Sequence, residues 1–230
     1  HASGKLLFNC RVIPNRGSWL DFEFDVKDFL YFKIDRKKKI LTSTLLLALG
    51  YTKSEMANEF YENEEYIFDN NRNKWKTKFN PDNYKTKNFS EEVIDAKTGK
   101  VVINSGEKIN FLNAKKLASD GLKDILVTQD SLLGKFLHED IKISNEEDGL
   151  LKIGTELNDT IIQKILDVKI NKIKISNTNS INKGPYLLNT ILNDKNNNKD
   201  EAITEIYKML RPGDPPTIEI ATQIFNNLFF

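Results

Sequence analysis

The residues best suited to chemistry gather in the first forty positions. Trp19 opens the run WLDFEFD (19–25), in which apolar and polar residues alternate strictly. A strand of this period sets Leu20, Phe22 and Phe24 on one face and Trp19, Asp21, Glu23 and Asp25 on the other. An indole on a polar face is either a stacking platform for a base or a ring packed under a neighbouring loop. Base–aromatic stacking contributes about 1–3 kcal/mol and tolerates any sequence. Asp21 and Asp35 share the face of Trp19. They are either solvated strand residues or carboxylates that repel phosphate, steer a single strand and accept from a base amine. Arg16, Arg36, Lys37, Lys38 and Lys39 cluster at the base of the hairpin. A solubilising turn and a set of phosphate contacts that position nucleic acid without reading it both fit them. Arg11 is expected to serve an internal salt bridge.

Other chemistries find little support. Two carboxylates suggest a glycosidase pair or a metal site, but no pocket histidine or third carboxylate accompanies them. Gly106 and Gly154 lack the flanking glycines and the Lys-Ser/Thr pair of a phosphate loop. His138 lies between a Gly-Lys turn and acidic residues and is read as a surface residue. Cys10 alternates into the core and is expected to be inert.

These residues need a small sheet to hold them. Residues 8–13 read as a strand, Pro14 to Gly17 as a turn, and 30–35 as a second alternating strand. In the latter Leu30, Phe32 and Ile34 point inward and Tyr31, Lys33 and Asp35 outward. The link 26–29 makes a hairpin. A buried helix is expected over 42–49, and Thr52 with Glu55 has capping-box spacing for a second helix to about Tyr61. A helix-turn-helix reading fails on charge, because Glu55 and Glu59 face one Lys53. A later helix over 200–210 carries Ala202, Ile203, Ile206, Tyr207 and Leu210 on its apolar stripe. Arg211, Pro212, Gly213, Pro215 and Pro216 form a rigid structural stop. Thr217 should cap a last helix that buries Ile218, Ala221, Ile224, Phe225 and Leu228. The apolar finish at Phe229 and Phe230 is expected of a chain cut from a longer one.

From 62 to 182 the composition shifts to Lys, Asn, Asp and Ile, with Pro81 its one proline. Residues 105–127 match 153–175 at an offset of 48, pairing Gly106 with Gly154, Ile125 with Ile173 and Val127 with Ile175. Each copy reads as strand, turn, helix and strand (about 99–127 and 149–175). The fold class expected is α+β: a mixed domain of antiparallel strands and helices from 1–61 and 183–230, interrupted at 62–182 by an inserted α/β module with an internal repeat.

The chain has 230 residues, 39% hydrophobic and 29% charged, the balance of a soluble globular protein. No apolar run nears the roughly 20 residues of a membrane helix, and the first ten residues lack the apolar core of a signal peptide. One cysteine excludes an internal disulfide framework and fits a reducing compartment. A formal net charge of +1 argues against DNA binding by bulk electrostatics, which needs a basic face to release counterions. Three of the five arginines (Arg11, Arg16, Arg36, Arg72, Arg211) nevertheless fall in the first 36 residues.

Three stretches carry a family resemblance: FNCRVIPNRGSWLDFEFD (8–25), FKIDRKKKILTSTLLLALGY (32–51), and IYKMLRPGDPPT with FNNLFF (206–217 and 225–230), with KGPY (183–186) between. In this order they resemble the β subunit of bacterial RNA polymerase, in the lobe that follows its first N-terminal segments. The stretch 62–182 resembles, more weakly, a lineage-specific insertion at that point. The family often has an aromatic at the position of Asn15 and arginines at those of Lys37 and Lys38. Lysine keeps the charge there and loses planar contacts.

The resemblance implies a wall of the main channel touching downstream duplex and the non-template strand. Trp19 matches a tryptophan at the downstream fork that can stack on an unpaired base. Implied partners are DNA, other polymerase subunits, sigma factor and transcription factors docking on the insertion, with no membrane. The implied location is the bacterial cytoplasm, at the nucleoid. The nucleotidyltransferase activity belongs to the assembled enzyme, whose Mg²⁺ aspartates lie in the other large subunit. The fragment itself is expected to hold no catalytic centre, cofactor or metal. The rival readings are a protein-interaction or spacer module that binds no nucleic acid, which the near-zero net charge favours, and a free-standing enzyme.

Overall fold

A computed structural model describes residues 2–83, 87–88, 92–144, 149–179 and 183–229. Helices and antiparallel sheets make an α+β fold. The first sheet is a meander of β1 (Asn9–Val12), β2 (Leu20–Phe24), β3 (Leu30–Ile34) and β4 (Ile40–Leu41). Its rows follow the alternation of the sequence. Cys10, Phe22, Phe32 and Ile40 stand in one row, and Arg11, Asp21 and Lys33 in the next, on the opposite face. Phe32 and Ile34 are fully buried. The β2–β3 link is tied by Asp25, whose Oδ1 accepts from the amides of Lys27 and Phe29 at 2.9 Å each.

The helices α1 (Thr42–Ala48) and α2 (Lys53–Phe60) follow at once, and three more close the same core near the end of the chain. Leu45, Met56, Leu188, Ile203, Ile206 and Phe225 pack with Phe32 and Ile34. The Thr52 capping box forms in full, with both the side-chain and the backbone bond. Ile218 does not join the buried face expected for the last helix; it is 41% exposed because it sits in the first turn, beyond the packed stripe of Ala221 and Phe225. Phe230 lies outside the described residues.

The middle stretch builds a seven-stranded sheet from β5 (Asn63–Asp69), β6 (Lys74–Lys78), β8 (Val93–Asp95), β9 (Val101–Ile103), β11 (Asp124–Val127), β12 (Phe136–Leu137) and β15 (Lys172–Ser176). The order is β12-β15-β5-β6-β11-β8-β9, antiparallel throughout. Two ribbons stand apart: β7 (Lys87–Asn88) with β10 (Lys108–Ile109), and β13 (Ile141–Lys142) with β14 (Leu150–Leu151). Between the strands run α3 (Phe111–Ser119) and α4 (Asp159–Asp167), which start 48 residues apart. Their N-caps, Asn110 and Asn158, accept the amide of the third residue on at 2.8 and 2.9 Å.

Across the central strands Ile173, Tyr66, Thr77 and Ile125 form one row. A half-turn about the Tyr66–Thr77 pair brings β15 onto β11 in register. One small core forms under each helix, with Ile125, Ala114 and Ile103 in one and Ile173, Ile162 and Leu157 in the other. The strand–helix–strand pattern is realised without a parallel ladder among the described residues. β9 and β11 run the same way, but β8 lies between them, and β14 pairs with β13 outside the sheet.

The remaining helices are α5 (Tyr186–Asn193), α6 (Lys199–Leu210) and α7 (Ile218–Phe229). The middle stretch meets them closely. Ile153 belongs to the helical core, and Gly154, at φ +83°, lies where a Cβ would stand 2.5 Å from the Leu188 carbonyl oxygen. The Asn177 amide bonds the Glu62 carbonyl at 2.8 Å, so the stretch begins and ends at neighbouring points. Position 182, its expected boundary, is outside the described residues.

Two expectations need correction. His138 is 3% exposed, not a surface residue: Ser176 Oγ lies 2.9 Å from Nδ1, and Asn58 Oδ1 and Asn63 Nδ2 lie 2.9 and 3.3 Å from Nε2. These partners come from three separate elements and make up for the water the ring loses. Cys10 is exposed, not buried, because β1 is an edge strand, exposed along its length, and Cys10 faces an open cleft.

Candidate nucleic-acid interface

The polar face of the first sheet collects the residues singled out from sequence. Trp19 precedes β2 and is fixed by a reciprocal clasp. Its amide donates to Asp35 Oδ1 at 2.9 Å, and its carbonyl accepts the Asp35 amide at 3.0 Å. Asp35 and Arg36 hold this corner with φ of 45° and 62°, a left-handed conformation that Asp tolerates through local hydrogen bonding. The indole is 42% exposed. The turn before it rests on α7. Gly17, at φ +115°, passes so close that a Cβ would stand 2.9 Å from the Leu228 carbonyl oxygen.

Arg11 lies under the indole, its guanidinium carbon 5.4 Å from the ring centroid. Asp21, directly opposite on β2, grips it with both carboxylate oxygens, Nη2 to Oδ2 at 3.1 Å and Nε to Oδ1. The hydrogen bond from Arg11 holds the Asp21 carboxyl below its usual range. The internal pairing expected of Arg11 is thus present. Asp21, committed to it, is poorly placed to act on a passing strand, and Asp35 spends one oxygen on the Trp19 backbone.

The basic residues divide. Arg36 lines a cleft of about 390 Å³ with Arg11, Asp21, Glu23 and Lys33. Arg16 and Lys38 are exposed. Lys37 turns away and donates to the Leu210 carbonyl at 3.0 Å, at the C-terminal end of α6. Lys39 lies 4.2 Å above the Tyr31 ring and 3.8 Å from Glu23, which also holds Lys33 at 2.6 Å. Arg211, Pro212, Gly213, Pro215 and Pro216 stand in the α6–α7 turn, where the Arg211 amide closes α6 on the Tyr207 carbonyl at 2.8 Å. Sequence reading missed that Arg11 lies beneath Trp19. The signal was available only through strand register, which sets an opposite charge across from Arg11.

Among the described residues no group of three His, Cys, Asp or Glu side chains is placed to hold a metal ion. No helix among them is long and apolar enough to cross a membrane.

No protein-family model matches the chain. Individual proteins do. The chain is 41% identical over 230 residues to the DNA-directed RNA polymerase subunit beta of Rickettsia conorii. Identity is 42% over 230 residues with that of Rickettsia prowazekii, and 42% over 234 aligned residues with that of Rickettsia massiliae. In each case the alignment takes in 100% of this chain and 17% of the relative. Related from end to end to one short stretch of that subunit, the chain belongs to the DNA-directed RNA polymerase β-subunit family as a fragment of it.

Proposed function

We propose that this chain is a lobe wall of the main channel of DNA-directed RNA polymerase, where it contacts downstream duplex and the non-template strand. The observation that carries the reading is the half-exposed indole of Trp19, standing on the polar face of the sheet at a residue whose backbone Asp35 clasps. A ring held this way offers a base a flat surface at little ordering cost. Arg16, Arg36 and Lys38, all exposed, supply phosphate contacts that position the strand without reading it. The nucleotidyl transfer is the work of the assembled enzyme, with its Mg²⁺ held elsewhere. Sigma factor and the other subunits are partners of that assembly in the bacterial cytoplasm. Residues 62–182 form an inserted domain that offers transcription factors a docking surface.

The test places a photoreactive group at position 19 of the assembled polymerase, bound to a promoter bubble. An adduct to the non-template strand near the start site is expected, and its absence defeats the stacking reading. The net charge of +1 favours a second reading for the chain on its own, a spacer or protein-interaction module without nucleic-acid affinity. A mobility shift of single-stranded DNA by the isolated chain would exclude it.

A further inference from the structure

We infer that Arg11 is a positioning residue, which Asp21 locks against one face of the Trp19 indole so that a single ring face is left for a base. The inference rests on the stacking role of Trp19 proposed above.

Three observations carry it. The guanidinium lies 5.4 Å from the ring centroid, within the range of a cation–π contact. One edge of its guanidinium, Nε and Nη2, is held by Asp21, so the cation cannot swing away without breaking two charge-assisted bonds. Arg11 and Asp21 are direct cross-strand partners on β1 and β2, which fixes the pair to the sheet rather than to a loop. An exposed tryptophan without such support moves among staggered rotamers. With one face covered, the ring stands in one orientation and accepts one base. The charge of Arg11 is spent on Asp21, so it is not a phosphate contact.

The experiment uses the assembled polymerase with Arg11→Gln, Arg11→Lys, Asp21→Asn and Trp19→Ala. Without DNA, hydroxyl-radical oxidation of Trp19 is followed by mass spectrometry, with fully buried Trp75 as internal reference. Arg11→Gln and Asp21→Asn should each raise Trp19 oxidation about two- to five-fold, the scale of a lost surface cation–π contact, with Arg11→Lys between them and the parent. No rise in either overturns the inference. With a bubble carrying 2-aminopurine at the unpaired non-template position, Trp19→Ala should abolish quenching, and Arg11→Gln and Asp21→Asn should both weaken it. Were Arg11 a phosphate contact, Asp21→Asn would free it and tighten binding, while Arg11→Gln would lower the salt slope by about one; that pattern also overturns the inference. If oxidation responds but Trp19→Ala leaves quenching intact, the base-stacking role falls and the ring-positioning role of Arg11 stands.

Discussion

His138 joins α2, β5 and β15 through Asn58, Asn63 and Ser176. Burial, the larger influence, pushes its pKa below the ordinary 6.5; Lys174 acts in the same direction and Glu139 against it. A histidine whose folded pKa is depressed takes up protons more readily when unfolded. Its contribution to stability is therefore complete above about pH 6.5 and declines as the pH falls below that value. The thermal midpoint of the chain should drop between pH 7.5 and 5.5. His138→Gln should flatten that part of the profile while costing about 1–2 kcal/mol at pH 7.5, for the bonds it makes less well; a pH series of melting curves measures both. Residues of this kind were the least legible in the sequence. Alternation placed Phe22, Phe32 and Trp19 correctly, because period two is a local property. It failed for Cys10, which stands on an exposed edge strand beside an open cleft. It could not see His138, whose partner Asn58 lies 80 residues away.

Helix ends show the same division between local and distant causes. The Thr52–Glu55 box and the caps Asn110 and Asn158 are satisfied within three residues, so spacing alone reveals them. The start of α1 has no such cap: Leu41 stands at the N-cap position. Its first turn is anchored through side chains by Asp194, 5% exposed, whose Oδ2 accepts from the hydroxyls of Ser43 and Thr44. A carboxylate at a helix N-terminus also meets the positive end of the dipole. Asp194→Ala should cost about 2–4 kcal/mol, since it removes the charged acceptor of two buried hydroxyls and leaves them only longer contacts to Thr190 and Asn196. Urea unfolding should show the loss as a lower midpoint at unchanged slope. Nothing local in the sequence around Asp194 signals that it reaches back 150 residues to the hydroxyl of Thr44 in the first turn of α1.

At the scale of the molecule the question is how firmly the middle stretch is bound to the rest. Glu62 and Asn177 are hydrogen-bonded neighbours, so a short linker can replace what lies between. Yet Ile153 and Phe136 pack into the helical core, and Gly154 sits against the backbone of Leu188. Removing residues 62–182 should leave the remainder folded but weaker by about 1.5–3 kcal/mol, the burial of one large aliphatic side chain. A cooperative urea transition with a lowered midpoint is the expected result, and a chain without one would speak against an inserted domain. The half-turn about Tyr66 and Thr77 has a separate consequence. β5 and β6, adjacent in sequence, meet the way the two seam strands of an isologous pair of identical chains would meet. The two halves so related differ in one respect: the hairpin β8–β9 extends the sheet, whereas β13–β14 stands outside it and leaves that edge to β12.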